Sequence, residues 1–415
     1  MSDWAKTPLA ELVEFRKGVR VDVFDERRPG TAPYLGAASL EGGRTEQWAT
    51  TRGAVQAQDT DILMLWDGER SGLVGGSLNG VVSSTVSRLR PKRSVDTGFL
   101  KHALQANFGW IQARRTGTGV PHVPKDLSTW LVLAHPMSSD EQRRVAELLN
   151  ALDEEVRRTE ALVTKFKAAS LGALTSLLTG QGANGRRSSG LAIIEFHGRQ
   201  VRLPERWSVQ PLGELLAPVN PSMRSGPFGS ALLKYELVDS GVPLLGIDNV
   251  HVDRFVPNFE RFVTPSKAQE LARYRVHPQD VMITIMGTVG RSCLVPADIG
   301  QALSSKHVWT LTIDDYRYRP YLVSRQLNHA PWARAHLRRD EQGGIMNAIR
   351  SETLRTLPLP VPPIDEQIEI EFVLRAFDFE IEVHARSLQK LRDLKVGLAR
   401  DLLSGRVRVP VEVTS

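Results

Sequence analysis

The chain has 415 residues, enough for two or three domains, and its apolar content of 41% and charged content of 24% are typical of a globular protein. Its net charge of +6 permits a nucleic-acid partner without requiring one, and the single cysteine, Cys293, excludes a disulfide framework and a cysteine-based metal site. We find no apolar run of membrane-spanning length and no basic-then-apolar leader. We therefore expect a cytoplasmic protein.

Residues 1–137 are predicted to form a first mixed domain. The composition predicts strands over residues 61–66 and 81–89, and a helix over residues 97–115. The four glycines of residues 72–80 could suggest a phosphate cradle, but no Lys-Ser or Lys-Thr follows them, and a loop is favoured.

Residues 138–180 are predicted to form a long helix. It begins near Asp140-Glu141-Gln142, and its apolar residues recur at alternating three- and four-residue spacing, which is typical of a coiled-coil seam. Residues 181–200 follow, and the Gly/Ser-rich and basic composition of their first half predicts a flexible linker. The seam positions are Val145, Leu149, Leu152, Val156, Val163, Phe166, Ala173 and Leu177.

Residues 201–361 are predicted to form a second mixed domain, and residues 362–405 a second long helix. We expect strands over residues 281–286 and 307–313 and a helix over residues 321–338. The prolines before residue 364 prevent helix there, Asp365 is placed to cap the long helix, and Gly405 to end it. The tail, residues 406–415, has no assigned role. The second seam consists of Ile370, Leu374, Phe377, Ile381, Leu388, Leu391, Leu398 and Leu402.

The second half of the chain repeats the first. Asp140-Glu141-Gln142 matches Asp365-Glu366-Gln367 at an offset of 225 residues (365 − 140), and the two seams map onto each other without a gap. Asp61-Ile62-Leu63-Met64 similarly resembles Asp280-Val281-Met282-Ile283. This internal duplication predicts an α+β fold: two tandem pseudo-symmetric domains separated by two long helices that form an antiparallel coiled coil.

The duplicated features resemble those of a known family. The proline-rich run, Asp-Glu-Gln, heptad helix and terminal Leu-Leu-x-Gly resemble the specificity (S) subunit of type I restriction–modification systems, and the likeness covers nearly the whole chain. In the second domain, Gly226-Pro227-Phe228-Gly229-Ser230 and Gly287-Thr288-Val289-Gly290 look like the family's target-recognition domain. The first domain lacks the Gly-Pro-Phe-Gly-Ser opening and departs most from the pattern.

The resemblance implies a non-catalytic chain whose two target-recognition domains each bind half of a bipartite double-stranded DNA target. It also implies partners: two modification subunits, which methylate adenine with S-adenosylmethionine, and restriction subunits, which are ATP-driven translocases and nucleases. S-adenosylmethionine, ATP and Mg are therefore expected on the partners, and no cofactor is expected in this chain.

Two alternatives come from other functional classes. A coiled-coil scaffold would assemble partners without binding DNA sequence-specifically. An enzyme would need a site, and the chain has no G-x-x-x-x-G-K-[ST], H-E-x-x-H or G-x-S-x-G motif. Its ten histidines are scattered without a partner at metal-ligand spacing.

DNA contact is expected from basic and polar loops, because Arg and Lys bind phosphates and Arg, Asn, Gln, Ser and Thr bind base edges. A single such residue is more often a solvated surface group, but the set in duplicated domains favours DNA. Glycines at 117, 119, 343 and 344 would let backbone approach a phosphate. The candidate DNA-binding residues are Arg44, Arg52, Arg70, Arg114, Arg115, Thr118, His122, Lys125, Arg224, Ser230, Arg254, Arg291, Lys306, Asn347 and Arg350.

The length of the two predicted helices gives an expected distance between the two DNA half-sites. At 1.5 Å per residue each is roughly 58 Å long, so helix length would set the spacing between the two half-sites. Polar seam positions such as Ser170 and Lys395 either fix the register or lie at the edge of the seam. Gly172 and Gly397, at the same position in the two copies, suggest close helix crossing, although inheritance through the duplication is enough to explain them.

Overall fold

The computed structural model describes residues 4–40, 42, 45–76, 78–117, 119–179, 191–196, 199–338 and 348–409. The chain divides into two compact units. Unit 1 combines residues 1–162 with residues 384–415, and unit 2 consists of residues 163–383. Each unit therefore contains one mixed domain and one half of each long helix.

The first domain, in unit 1, is built from strands and short helices. Its strands are β1 (Trp4–Pro8), β2 (Val13–Lys17), β3 (Val23–Phe24), β4 (Thr31–Leu35), β5 (Trp48–Thr50), β6 (Gln56–Ala57), β7 (Ile62–Leu65), β8 (Val74–Gly76), β9 (Gly80–Val82), β10 (Val86–Pro91) and β11 (Val132–Pro136). Its helices are α1 (Leu9–Leu12), α2 (Ala37–Leu40), α3 (Thr97–Ala106), α4 (Phe108–Gln112) and α5 (Leu127–Trp130).

Three sheets organise this domain. Strands β2-β10-β7-β8 form an antiparallel sheet, β3-β5-β4-β9-β6 form a second sheet in which β4 and β9 are parallel, and β1 pairs with β11. Fully buried Ile62 and Met64 of β7 and Leu89 of β10 pack against Phe99 and Leu104 of α3, which joins the sheet to the helical layer.

Two predicted elements of the first domain are each divided in the structure. The strand predicted over residues 81–89 is two strands of different sheets, β9 and β10, because a turn in which the Val86 amide donates to the Ser83 carbonyl (3.0 Å) separates them. The helix predicted over residues 97–115 ends at Ala106, and α4 follows as a separate helix. It ends there because the Asn107 side chain donates a hydrogen bond to the Ala103 carbonyl (2.8 Å) and so competes with the backbone amides for that acceptor.

Helix α6 (Ser139–Leu178) contributes to both units. By length and composition alone it is apolar enough to cross a membrane, a test that the core helix of a soluble protein also passes. Four of its apolar side chains lie in the domain cores: Val145 and Leu149 belong to the core of unit 1, and Leu174 and Leu178 to that of unit 2.

The second domain, in unit 2, follows a hairpin of β12 and β13 that includes residues 191–200 of the predicted linker; residues 180–190 lie outside the described residues. Its strands are β12 (Leu191–Phe196), β13 (Arg199–Pro204), β14 (Ser208–Pro211), β15 (Met223–Ser225), β16 (Val242–Leu245), β17 (Val250–His251), β18 (Arg254–Phe255), β19 (Phe262–Val263), β20 (Arg275–Val276), β21 (Val281–Thr284), β22 (Ser292–Leu294), β23 (Ala302–Ser304), β24 (Val308–Leu311) and β25 (Pro358–Val361). Its α-helices are α7 (Pro265–Glu270), α8 (Pro320–His329), α9 (Pro331–Leu337) and α10 (Ser351–Arg355).

The second domain repeats the strand order of the first. Its sheet β15-β24-β21-β22 corresponds to β2-β10-β7-β8, its parallel pair β16-β23 corresponds to β4-β9, and β14-β25 corresponds to β1-β11. The duplication read from the sequence is thus a duplication of topology. The helix predicted over residues 321–338 is divided into α8 and α9, because Pro331 has no amide hydrogen to continue α8.

Helix α11 (Ile364–Leu403) packs antiparallel to α6 within each unit. In unit 1, Leu402 near its end joins the core that contains Val145 near the start of α6. In unit 2, Leu374 near its start joins the core that contains Leu174 near the end of α6. All predicted seam positions are buried or half-buried, which confirms the seam.

The ends and glycines of the helices refine the predictions. Helix α11 begins at Ile364, so Asp365 lies in its first turn rather than at the cap. Gly405 has φ of +74° and lies against Trp4, as expected for a glycine after a helix. The close crossing suggested for Gly172 and Gly397 is wrong, because a Cβ at either position would meet nothing within 4 Å.

The duplicated glutamine of Asp-Glu-Gln attaches each domain to its helix. Gln142 accepts a hydrogen bond from the Asp96 amide (2.6 Å) and donates one to the Pro136 carbonyl (2.7 Å). Gln367 accepts from the Arg319 amide (2.9 Å) and donates to the Pro362 carbonyl (2.8 Å). Both side chains are buried, so each amide meets its hydrogen-bonding needs inside the protein.

A second polar contact joins each domain to both helices. In unit 1, the buried His102 ring lies 2.9 Å from Asn150 Oδ1, and neighbouring Asp153 forms an ion pair with Lys395. Burial lowers the pKa of His102. In unit 2, Arg325 donates to Ser170 Oγ (2.8 Å) and pairs with Asp378 (3.5 Å). The two polar seam residues therefore both take part in these contacts: Lys395 forms an ion pair with Asp153, and Ser170 accepts a hydrogen bond from Arg325.

Truncating the seam tests whether each unit depends on it. Leu149 and Leu374 are equivalent in the two copies, and both are fully buried (0% exposed). We expect Leu149→Ala and Leu374→Ala each to lower the free energy of unfolding by about 2–5 kcal/mol, because each leaves a cavity. Calorimetric unfolding of the full chain measures the effect, with Leu148→Ala (47% exposed) as the neighbouring control. Equal stability of all variants would contradict the packing described here.

Candidate nucleic-acid interface

Two loops of the first domain are joined into one surface. The Gly68 amide donates to the Pro121 carbonyl (2.8 Å), and the Val123 amide donates to the Trp66 carbonyl (2.9 Å). Between them, Thr116 and His122 form a backbone bridge with hydrogen bonds of 3.0 and 2.8 Å. The loop that follows β7 is therefore held beside residues 114–125.

Asp67 anchors this pair of loops electrostatically. Its carboxylate lies 2.7 Å from Nδ1 of His122 and 2.9 Å from Nζ of Lys17. Arg115 adds a hydrogen bond of 2.6 Å to the Glu69 carbonyl. His122 and Arg115, both predicted to bind DNA, are thus half-buried and also have a structural role.

The same loops present exposed cations. Arg70, Arg114 and Lys125 are exposed, and the Arg114 guanidinium lies 3.9 Å above the centre of the Trp110 ring, which orients it. Gly117 has φ of +106°, and a Cβ there would lie 2.5 Å from the Val120 carbonyl oxygen, so the turn itself requires this glycine. Close approach to a phosphate is not needed to explain it.

Arg52 lies apart from these loops in the chain. It is exposed in the turn after β5, where the neighbouring Thr51 amide donates to the Gly30 carbonyl (3.0 Å). Arg44, Thr118 and Asn347, together with Gly343 and Gly344, lie outside the described residues.

The structure reveals a basic cleft in the first domain that the sequence analysis missed. A cavity of about 570 Å³ is lined by Arg16 of β2 and by Arg88 and Arg90 of β10, with Gln56 and Asn79. Arg88 and Arg90 alternate along a strand and so share one face. That spacing, within a segment predicted to be a strand, was a usable signal in the sequence.

In the second domain, the loop after β15 meets the turn between β23 and β24. The Gly226 amide donates to the Ser305 carbonyl (3.1 Å), and Ser225 Oγ donates to the Lys306 carbonyl (3.3 Å). Ser230 and Lys306, both candidate DNA-binding residues, are exposed here. A cavity of about 300 Å³ between these loops is also lined by Arg261 and His307.

The remaining candidates of the second domain are reported individually. Arg254 is exposed on β18, whose turn is tied to β22 by the Asp253 amide donating to the Ser292 carbonyl (3.0 Å). Arg291 is half-buried, and its amide donates to Thr284 Oγ1 (3.0 Å). Arg350 is exposed next to Ile349, whose carbonyl accepts a hydrogen bond from Trp309 Nε1 (3.0 Å).

Arg224 requires a correction. The sequence analysis put it in a DNA-contacting loop, but it belongs to β15 and is only 5% exposed. Its guanidinium forms an ion pair with Asp280 and donates to the Arg275 carbonyl (2.6 Å) and Thr312 Oγ1 (2.9 Å). Its donors are satisfied inside the domain, so Arg224 supports the fold.

Asp280 and its equivalent Asp61 obtain their arginine partners differently. Asp61 accepts two hydrogen bonds of 2.8 Å from Arg90 of β10. Burial raises the pKa of Asp61, but the hydrogen bonds from Arg90 and from the Gln58 amide outweigh burial. The pKa of Asp61 is therefore below its usual value. Burial raises the pKa of Asp280, despite the opposing effect of Arg224. Both domains have the buried aspartate, but its arginine partner lies on β10 in the first domain and on β15 in the second.

The described residues contain neither a metal-binding cluster nor a reactive thiol. Within them, no group of three or more His, Cys, Asp or Glu side chains could hold a metal ion. Cys293 is buried, and burial raises the pKa of its thiol to about 12, so it stays protonated and unreactive at neutral pH. The arrangement of exposed cations on paired loops suits contact with a polyanion.

Comparison with known proteins gives relatives of one kind. No family model matches the chain. It is 22% identical over 418 residues to the type I restriction enzyme MjaVIII specificity subunit of Methanocaldococcus jannaschii, covering 98% of this chain and 93% of that protein. It is 21% identical over 319 residues to the EcoBI specificity subunit of Escherichia coli, covering 75% of this chain and 65% of that protein.

Solved structures share the fold. The crystal structure of the type I restriction–modification S subunit from M. genitalium matches with a TM-score of 0.62 at 15% identity, covering 97% of this chain and 96% of that one. A chain from a study of complex assembly and conformational transition of the type I system matches with a TM-score of 0.51 at 17% identity, covering 97% and 98%. These comparisons confirm the predicted resemblance and fold class.

Removing Arg224 tests its assignment to the interior. We expect Arg224→Met to lower the free energy of unfolding by about 3–5 kcal/mol, because Asp280 would be left as an unpaired buried charge. The double variant Arg224→Met/Asp280→Leu should recover most of that loss. Denaturant unfolding measures both, with exposed Arg254→Met as the control. Unchanged stability of the single variant would contradict the assignment.

Proposed function

We propose that this chain, whose sequence and fold are those of a type I restriction–modification specificity (S) subunit, supplies the DNA-sequence specificity of such a complex. Each target-recognition domain would bind one half of a bipartite target. The observation that carries this proposal is the repetition of one strand topology with different loops. Matching scaffolds with different loop chemistry are suited to reading two different sequences.

Loop chemistry supports the assignment of DNA contacts. Exposed Arg70, Arg114 and Lys125 in the first domain, and Lys306 and Arg350 in the second, would bind phosphates and position the domains on the duplex. Arg16 and Arg90 of the basic cleft would be further phosphate contacts in the first domain. Base recognition would come from the side chains of the same loops in the major or minor groove.

We also infer a division of labour with partner subunits. The chain would act without its own catalytic site, in the cytoplasm, and would hold two modification subunits and the restriction subunits. S-adenosylmethionine, ATP and Mg would be bound by those partners. The names of the relatives support this inference, because the MjaVIII and EcoBI proteins and the M. genitalium structure are each named as the specificity or S subunit of a type I system.

Binding of bipartite duplexes tests the function. The target is first obtained by sequencing methylated sites from cells that contain the complete system. The complex should then bind the intact target more tightly than duplexes in which either half is scrambled. Equal affinity for all three duplexes would favour the alternative of a scaffold without sequence-specific DNA binding. Methylation or cleavage by the purified chain alone would contradict the non-catalytic assignment.

Neutralising one cation in each domain tests the interface. We expect Lys125→Ala and Lys306→Ala each to weaken binding of every duplex and to lower the slope of log affinity against log salt by about 1, because each removes a phosphate contact. Fluorescence anisotropy across a salt series measures the slope. Lys165→Ala, an exposed lysine on α6, is the matched control. Wild-type slopes for both variants would contradict the loop assignment.

A further inference from the structure

The cavity of the second domain combines an apolar lining with exposed positive charge. Its volume is about 300 Å³, and it lies between residues 227–237, which follow β15, and the turn between β23 and β24. Leu232, Leu237 and Leu244 line it and belong to a buried apolar cluster or pack against it. Lys234 and Lys306 also line it, and both are exposed. The cavity therefore offers apolar surface inside and cations towards solvent.

Two further residues give the cavity hydrogen-bonding capacity. Ser305 lines it and is 4% exposed, and its Oγ has no hydrogen-bond partner among the described residues. A buried polar group without a partner is costly, so a ligand that hydrogen-bonds to this hydroxyl would be stabilised. Burial lowers the pKa of His307, and the neighbouring Lys306 and Arg261 lower it further. His307 is therefore neutral at neutral pH, with one ring nitrogen as donor and the other as acceptor.

The lining of the cavity favours one class of ligand. Among the described residues that line it there is no Asp or Glu, so an anionic ligand is favoured over a cationic one. Leucine side chains cannot solvate an anion, so the charged part of the ligand must stay near the lysines and the buried part must be uncharged. A nucleotide has this division, because a flat uncharged base with hydrogen-bonding edges is attached to an anionic backbone.

The concave shape of the cavity restricts which part of a DNA duplex can enter it. Base edges lie at the floor of a major groove about 8.5 Å deep, so the side chains that read them must protrude from the protein. A cavity accepts only groups that project from the duplex: a phosphate, a thymine methyl or an extruded base. The leucines disfavour a phosphate. A methyl group, similar in size to a water molecule with its share of about 30 Å³, would leave most of the cavity empty. An extruded base fits best.

Residues 227–237 also carry two exposed aromatic rings. Phe228 is 59% exposed and lies between Pro227 and Gly229, which both line the cavity. Tyr235, which follows Lys234, is 81% exposed. Large apolar side chains that enter a base stack occupy the space between neighbouring bases and offset part of the lost stacking. Phe228 is placed to do this, because its two neighbours in the chain form part of the cavity.

The corresponding segment of the first domain is arranged differently. Gly18 and Gly226 are equivalent: each follows its strand, β2 or β15, and a Cβ at either position would clash with a serine carbonyl oxygen at the end of β9 or β23. Beyond Gly18, residues 19–30 include β3 and contain one aromatic residue, Phe24. Phe24 is half-buried, and the Arg28 guanidinium lies 4.1 Å from the centre of its ring. This ring is thus covered and is not presented to a base stack.

We propose that the cavity of the second domain binds one nucleobase extruded from its DNA half-site, and that Phe228 takes the place of that base in the stack. This inference rests on the proposed function and adds a reading step to it. Lys234 and Lys306 bind the phosphates beside the extruded nucleotide. Ser305 and His307 form hydrogen bonds with the edge of its base. That edge is paired inside the duplex, so extrusion gives the domain access to atoms that neither groove presents.

Fluorescent base analogues test the proposal in the complex of the full chain with its modification subunits. The recognised duplex is prepared with 2-aminopurine or pyrrolo-cytosine at each position in turn, because both analogues brighten when they are unstacked. Besides the adenines that the complex methylates, we expect one position, in one half-site only, to brighten about fivefold on binding, as an extruded base would. A response confined to the methylated adenines would overturn the proposal.

Two variants assign the extra signal to the cavity. Leu237→Trp fills the cavity and Phe228→Ala removes the ring that enters the stack, so we expect each to abolish the extra signal and to leave that of the methylated adenines unchanged. Tyr316→Ala is the matched control and should retain the signal, because Tyr316 is a 95% exposed aromatic residue of the same domain that does not line the cavity. Circular dichroism verifies that each variant is folded. A signal that persists in both cavity variants would overturn the proposal.

Binding affinity provides a second measurement. A mismatch opposite the extruded base removes part of the cost of unpairing, so we expect the wild type to bind the mismatched duplex about tenfold more tightly than the matched one. Leu237→Trp should show no such gain, and an equal gain in both proteins would overturn the proposal. Replacing thymine by uracil tests the methyl alternative. Weaker binding of the uracil duplex without an extra fluorescent position would show that a thymine methyl occupies the cavity, and would overturn the proposal.

Failure of the proposed function would look different. A complex that binds every duplex with equal affinity would overturn the proposed function, and with it this proposal. A complex that discriminates bipartite duplexes, but in which only the methylated adenines brighten, would overturn the extruded base alone.

Discussion

The apolar seam between α6 and α11 is the constraint on which the rest of the structure depends. Each helix has 40 residues and a continuous apolar stripe that must be removed from water. Within unit 1 the start of α6 covers the end of α11, and within unit 2 the end of α6 covers the start of α11. Each mixed domain therefore completes its core with residues from both halves of the chain. Leu402, for example, belongs to the core of the first domain.

The domains are attached to this seam by polar contacts that the duplication has preserved in position. Gln142 and Gln367 make the same pair of hydrogen bonds: each accepts from the N-cap amide of a short helix and donates to a proline carbonyl that precedes its long helix. Such buried amides have one good arrangement, since any other would leave a donor or acceptor unsatisfied. They fix the orientation of each domain on its helix. The loops proposed to contact DNA inherit that orientation through β7 and β21.

Beyond these shared contacts, the two copies have diverged in charge more than in shape. The buried aspartate of each domain is kept, but Arg90 serves Asp61 and Arg224 serves Asp280. His102 and Arg325 occupy corresponding places in α3 and α8, and each contacts an aspartate or asparagine of a long helix. The outer face of one long helix is apolar and that of the other is charged. Strand topology is therefore conserved between the two copies, whereas their electrostatics have changed.

Local spacing in the sequence was sufficient for the helices, the seam, the duplication and the family resemblance, because helical periodicity depends only on residues three and four apart. Burial was not determined locally. Arg224 looked like a loop cation, and only the strands β21 and β24 beside it, more than fifty residues away, enclose it. Local spacing also did not determine the cleft lined by Arg16, Arg88 and Arg90, or the turn that assigns β9 and β10 to different sheets. The sequence by itself determined the two long helices, their apolar seam and the duplication of the chain. Tertiary structure decided which charged side chains reach solvent, because that depends on what distant parts of the chain pack against them.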